Sequence, residues 1–221
     1  MPALTDSLRD EYLSALLAGD GRRARHLVES AVADGIDARD VCLSVLGPVL
    51  EEIGVLWERG EVSVAHEHYA AQVSAGVLGA LAPRIRVPPR GGRLAVLTCT
   101  QGEQHAFGVQ MVGEFLEGAA WEVLQLGAGL PAEDLLDLVI TEQPDLVGLS
   151  TATAAMMPGA ERTLAMLTEA DPRPLVVVGG RAWADVPEDR VRALGADLRL
   201  PGPVELVELI AKRLPPLPED E

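Results

Sequence analysis

The hydrophobic positions change period once along the chain, near residue 85. Before that point they recur at steps of three and four, the spacing that lines one face of an α-helix. Leu4, Leu8, Tyr12, Ala15 and Leu16 mark a first helix. Asp20 is placed to cap a second through Leu27, Val28, Ala31 and Val32, with Gly35 just past its end. Asp37 opens a third through Val41, Val45, Val49, Ile53 and Trp57, in which Pro48 predicts a kink or a split. Gly60 marks a turn, and Ser63 caps a fourth helix through Val64, His68, Ala71, Ala75 and Leu78. Four short-linked amphipathic helices predict a bundle over residues 1–83. Residues 84–92, dense in Pro, Arg and Gly, read as a linker.

From Arg93 onward the pattern alternates. Apolar runs at Leu94–Thr98, Trp121–Leu126, Leu146–Leu149, Leu175–Val178 and Leu198–Leu200 read as strands. Helical stretches follow at Phe107–Glu117, Pro131–Glu142, Met156–Ala170, Glu188–Leu194 and Val204–Leu214. Five βα units predict an α/β domain over residues 93–221, with a five-stranded parallel sheet covered on both faces. Right-handed crossovers and short connections make a flavodoxin-like strand order the simplest solution. Ligands of such sheets sit at the carboxyl ends of the strands, beside strand one. The loops that matter are therefore Cys99–Phe107, Gly127–Leu130, Ser150–Thr153 and Gly179–Trp183. The tail Pro215–Glu221 reads as frayed.

Composition narrows the function classes. Lys and Arg number 18 against 34 Asp and Glu, a net charge of −16. That balance argues against direct binding to a nucleic-acid backbone, which needs clustered cations. Hydrophobic residues make up 48%, enough for a core. Cys42 and Cys99 are too few for a disulfide framework or a cysteine-based zinc site. No basic-then-apolar segment opens the chain and no apolar run reaches about 18 residues, so a cytoplasmic protein without a membrane span is expected. Gly127-Ala128-Gly129 lacks the third glycine of a dinucleotide fingerprint and does not follow strand one. His26, within Arg22-Arg23-Ala24-Arg25-His26, fits a solvated helix face. Cys99 reads as a small buried hydrophobe, Trp121 as core or interface, and Trp183 as a residue near the ligand crevice.

Two constellations carry candidate chemistry. In Glu103-Gln104-His105-Ala106-Phe107-Gly108, His105 falls in the loop or first turn after strand one, at the crevice. Glu103 can accept the second N–H of the imidazole, fixing its tautomer and strengthening the other nitrogen as a ligand. The alternative is a solvated loop histidine beside a helix-capping glutamate. In the helical half, Trp57 is followed after nine residues by Glu67-His68 across the Gly60 turn. Antiparallel helices would bring the indole and the carboxylate to similar height, about one turn from the loop. Here too there is an alternative: a core tryptophan, and first-turn residues favoured by the helix dipole.

Glu103-x-His105-x-x-Gly108 after strand one, with Ser150 ending strand three and Gly179-Gly180 ending strand four, resembles the cobalamin-binding family. The resemblance runs from Arg93 onward, and the preceding bundle is similar to the family's cap. It implies a cobalamin whose dimethylbenzimidazole tail is displaced from cobalt. His105 would be the metal ligand, Glu103 its support, and Ser150, Gly108, Gly179 and Gly180 the tail contacts. Ser150-Thr151-Ala152 departs from the family's Ser-x-Leu, which predicts a looser wall. Trp57-x9-Glu67-His68 resembles the cap signature of the adenosylcobalamin-dependent photoreceptors, light-sensing relatives of MerR-type regulators. That resemblance implies Trp57 over the adenosyl group, Glu67 on its ribose, and release of the group by light. It implies a sensor, not a turnover enzyme. The sequence holds no helix-turn-helix module, so the output is expected through an effector protein, a homo-oligomer or a second chromophore. A bilin such as biliverdin, as in the photocobilins, is one such variation, although no attachment cysteine is recognisable. Glu58 stands where some of those regulators carry a cobalt-capturing histidine, with His66 or His68 as substitutes. The rival expectation is a corrinoid methyl carrier of a methyltransferase system.

Overall fold

A computed structural model of the chain describes residues 2–89, 92–200 and 202–214, with side chains from Thr5 onward. The Leu4 side chain, Arg90 and Gly91 of the expected linker, and the tail Pro215–Glu221 lie outside the described residues. The chain divides into two compact units, Met1–Ile85 and Arg86–Glu221.

The first unit is helical: α1 (Pro2–Leu17), α2 (Gly21–Ala33), α3 (Ala38–Val41), a π-wound segment (Cys42–Leu46), α4 (Gly47–Glu58) and α5 (Val64–Ile85). The expected caps are in place. Asp20 accepts from the Arg23 backbone N–H at 2.9 Å, and Asp37 from that of Arg39 at 2.7 Å. The helix that Pro48 was expected to break runs on from α3 to α4 through five residues of wider winding. Pro48 lacks an N–H and its ring would crowd the carbonyl four residues earlier; the wider turns just before it relieve both demands.

Leu8, Tyr12, Ala15 and Leu16 are buried, as are Val41, Val45, Val49 and Ile53. The face of α5 differs from expectation. Val64 and His68 are exposed and Ala71 and Ala75 half-buried, while Ala70, Val73, Ser74, Val77, Leu78 and Leu81 are buried. This helix is apolar nearly all round, so its composition leaves the face open; the Tyr12 hydroxyl, 3.0 Å from Ser74 Oγ, selects it. The helix also continues through Pro83 to Ile85.

The second unit contains β1 (Leu94–Cys99), α6 (Phe107–Glu117), β2 (Glu122–Gly127), α7 (Ala132–Glu142), β3 (Leu146–Ser150), α8 (Met157–Leu167), β4 (Leu175–Gly179), α9 (Glu188–Ala193), β5 (Leu198–Arg199) and α10 (Pro203–Arg213). All strands are parallel, in the order β2-β1-β3-β4-β5. This is the flavodoxin-like arrangement. Side chains of β1, β3 and β4 are buried on both faces, which explains their near-continuous Val/Leu runs, whereas the edge strand β2 is only partly covered. Val96, Val147, Leu149, Val176 and Val178 pack with Leu135, Val139, Ala160 and Leu164 of α7 and α8. Ala95, Leu97, Leu146 and Val177 pack on the other face with Val109 and Leu116 of α6 and Leu206 and Ile210 of α10. Each such Val or Leu contributes about 1.5–3 kcal/mol relative to exposure.

The linker is tied at its start. Arg86 grips Glu114 with two hydrogen bonds of 2.6 Å and reaches Glu117 at 2.8 Å, and the Val87 N–H donates to Glu117 O.

Candidate functional site

The register of the sheet brings the ends of three strands together, with Cys99 beside Ser150 and Ser150 beside Gly179. The loops that leave these ends carry Glu103 and His105, Thr151 to Thr153, and Gly180. Thr100 to Glu103 is a tight turn: the Glu103 N–H donates to Thr100 O at 2.9 Å, and Gly102 has φ +88°. A glycine with positive φ at the third position is what such a turn demands. It carries the Glu103 side chain inward, where it is 1% exposed.

Glu103 is a buried carboxylate with donors on both oxygens. Oε1 accepts from the backbone N–H of Gln104 at 2.9 Å, from that of His105 at 3.1 Å, and from the His105 ring Nδ1. Oε2 accepts from the backbone N–H groups of Ala152 at 3.0 Å and Thr153 at 2.9 Å, and from the Thr153 hydroxyl at 3.0 Å. Burial pushes the carboxyl pKa up, but the His105 ring, the His105 backbone N–H and Thr153 outweigh it, and the net value falls to about 2. An ionised carboxylate only accepts, so in the neutral imidazole Nδ1 carries the proton and Nε2 keeps its lone pair. The His105 side chain is 40% exposed. The result is a braced, part-exposed imidazole whose Nε2 lone pair is left to act as a ligand.

The surroundings fit a bulky metal cofactor. A Cβ built on Gly108, three residues after His105 in the first turn of α6, would meet nothing within 4 Å. Among the described residues no three or more His, Cys, Asp or Glu are grouped to hold an ion. A lone supported imidazole suits a metal already held in an organic frame that needs one axial ligand. Gln104 is exposed, and Ala106 and Phe107 are half-buried at the start of α6. Cys99 is buried; burial and the charge of Glu103 push its thiol up to about 12, so it stays protonated, with Sγ 3.8 Å from His105 O.

Gly179 is buried, with Leu200 Cβ 3.1 Å from where its own Cβ would stand. Gly180 has φ +97°, and a Cβ there would collide with Thr151 O and stand 2.8 Å from the Thr151 carbonyl carbon. The loop after β3 is firmly tied by hydrogen bonds. Thr151 is fully buried, its hydroxyl 2.7 Å from that of Thr100. Trp183, expected at the crevice, is fully buried in the core, with no hydrogen-bond partner for Nε1 among the described residues. The bonds from Thr153 to Glu103 and from Thr100 to Thr151 join positions about fifty residues apart. Only the run of hydroxyl residues from Ser150 to Thr153 hints at them in the sequence.

In the helical unit, Trp57 lies in the last turn of α4, and Glu67 and His68 in the first turn of α5. Trp57 continues the stripe of Val41, Val45, Val49 and Ile53, yet is 38% exposed. The Glu67 side chain is 14% exposed and accepts from His68 Nδ1 at 2.5 Å. His66 Nδ1 lies 2.8 Å from Ser63 Oγ.

Comparison with known proteins bears on both units. The chain is 34% identical over 179 residues to the HTH-type transcriptional repressor CarH of Myxococcus xanthus, covering 80% of this chain and 58% of that repressor. It is 26% identical over 188 residues to dimethylamine corrinoid protein 1 of Methanosarcina acetivorans, covering 81% and 88%. The monomethylamine corrinoid protein of Methanosarcina barkeri has the same fold, with a TM-score of 0.83 at 17% identity over 95% of this chain and 99% of that one. No helix among the described residues is long and apolar enough to cross a membrane. Residues 8–82 and 93–210 each match a family model described as a B12 binding domain. With a braced imidazole after the first strand of that second stretch, the chain belongs to the B12-binding family, and its cofactor is of the cobalamin class.

Proposed function

We propose that the protein is a light-responsive adenosylcobalamin sensor that signals through a partner protein or a change of oligomeric state, without touching DNA itself. In this reading His105 Nε2 would hold the cobalt of the cofactor, and Glu103 would fix the tautomer of the ring. Gln104, Ala106, Phe107 and Gly108 border the ligand, and Ser150, Thr151, Ala152, Gly179 and Gly180 border the displaced nucleotide tail. Trp57 shields the adenosyl group, Glu67 takes its ribose hydroxyls, and His68 holds Glu67. The cofactor supplies a cobalt–carbon bond that light can break. The residues do the rest: they bind, orient and exclude water, and the loss of a group packed on Trp57 changes which arrangement of the protein is favoured.

The observation that carries the reading is Trp57. A large indole that continues a buried stripe but stays 38% exposed is apolar surface in want of a flat apolar partner. The identity to CarH supports the same choice. The test is to load the full chain with adenosylcobalamin in the dark and illuminate it with green light. The expected result is an irreversible or slowly reversing change in the cobalt spectrum, with a change in elution volume or partner binding. An unchanged spectrum refutes the sensor. Reconstitution with biliverdin, read as a second visible band, tests for a bilin.

A second reading has its own support. The 26% identity to dimethylamine corrinoid protein 1 over 188 residues supports a methyl carrier. Preference for methylcobalamin over adenosylcobalamin, with methyl transfer to a thiol acceptor on adding a methyltransferase, would select it.

A further inference from the structure

Beyond the sheet itself, β1, β3 and β4 are joined by one more rung. The Thr100 N–H donates to Ser150 O at 2.8 Å, that of Thr151 to Gly179 O at 2.8 Å, and that of Ala182 to Thr151 O at 3.2 Å. At this level the hydroxyls of Thr100 and Thr151, both fully buried, share a 2.7 Å hydrogen bond. Each threonine is backed by a glycine. Gly180 packs on the Thr151 backbone, and a Cβ on Gly159 would stand 3.1 Å from the Thr100 methyl.

The position of this pair gives it a consequence. From Thr100 the chain turns back to Glu103, Gln104 and His105, whose donors hold carboxylate Oε1. From Thr151 it runs to Ala152 and Thr153, whose donors hold Oε2. The two arms that grip opposite oxygens of Glu103 thus both start at the hydroxyl pair. Two valines would fill the same volume, but only a hydrogen bond fixes direction as well as distance.

We propose that Thr151, acting through Thr100, is a positioning residue for the His105 imidazole: the hydroxyl pair sets the separation of the two arms that hold Glu103, and hence the orientation in which Nε2 is offered to the metal. The inference rests on the reading of His105 as the cobalt ligand, and the experiment separates the two. The full chain is loaded with cobalamin and reduced to the cob(II) state. The axial-nitrogen splitting in the electron paramagnetic resonance spectrum is compared between unlabelled and 15N-histidine-labelled protein. A splitting that ignores the label, or that survives His105→Ala, overturns the ligand reading and the proposal with it.

If the parent responds to the label, Thr151→Val should bind cobalamin about tenfold more weakly, the lower end of what partners of metal ligands are worth. Its spectrum should mix label-sensitive and label-insensitive forms, and Thr151→Ser should restore both properties. The double variant Thr100→Val/Thr151→Val buries no orphaned hydroxyl, so it should regain the parent melting temperature yet keep the mixed spectrum. Recovery of the parent spectrum in the double variant would reduce the pair to simple packing. An unmixed, label-sensitive spectrum in Thr151→Val would overturn the proposal while leaving His105 as the ligand.

Discussion

Glu103→Gln tests the brace of the site without the cofactor. The amide keeps one acceptor oxygen and turns an NH2 group toward the other set of donors, either those of Gln104 and His105 or those of Ala152 and Thr153. Bonds to a charged acceptor are worth roughly 1.5–3 kcal/mol each, and donors at a half-buried loop recover part of that from water, which leaves a loss of about 3 kcal/mol. Linkage, counting the same hydrogen bonds through the carboxyl pKa, gives a figure of the same order. A carboxyl held at about 2 instead of 4.5 favours the ionised folded state by about 3 kcal/mol. Because the folded value is the lower one, this stability is complete above the unfolded value of 4.5 and is lost as pH falls toward 2. The assay is urea unfolding in a Trp57→Phe background, where fluorescence reports only Trp121 and Trp183, both buried in the α/β unit. At a typical slope of about 2 kcal/mol per molar urea, the midpoint should fall by about 1.5 M at neutral pH. The gap between variant and parent should close in acid. A midpoint within about 0.3 M of the parent, or a gap that stays constant down to pH 3, would refute the account of Glu103.

Three further outcomes are expected. Tyr12→Phe leaves the Ser74 hydroxyl buried without its partner, which should cost about 1–2 kcal/mol in melts of the helical unit. Burial raises the Tyr12 phenol to about 12; its contribution is full below the ordinary value near 10 and falls as pH rises toward 12, so this alkaline loss should vanish in the variant. Gly180→Ala forces a Cβ into a left-handed backbone against Thr151, and chemical unfolding should show a loss above about 2 kcal/mol. Gly108→Ala meets open space at the start of α6, so the cofactor-free protein should be up to about 1 kcal/mol more stable while its cobalamin affinity, measured by titration, falls.

What could be read ahead of the structure was whatever depends on short spacing. The runs Leu94–Thr98 and Leu146–Leu149 announced the buried parallel strands, and Glu103 and His105, two positions apart, announced their hydrogen bond. Asp20 and Asp37 announced their helix starts. What could not be read depends on distant partners. The side of α5 facing inward was set by Tyr12 meeting Ser74, 62 positions away, on a helix whose alanines fit either side. The hold of the Thr100 hydroxyl and the Glu103 carboxylate on the Ser150-Thr151-Ala152 loop, about fifty positions away, could not be read either. The end of the bundle was placed at Pro83, where the stretch dense in Pro, Arg and Gly begins; the helix instead runs two residues further, to Ile85.

The π-wound stretch at Cys42–Leu46 has a bearing on Trp57, eleven residues downstream of its end. Residues spaced by four drift about 40° per step around an ordinary α-helix, so Val41 and Trp57 would end on different sides of a regular rod. The fatter coil takes part of that drift back and lets one column of side chains run straight. The azimuth of the indole is therefore dialled in remotely, by a winding defect that touches nothing near it. Deleting one residue from that stretch should rotate the indole by about 100° about the axis, an outcome that acrylamide quenching of its emission would register.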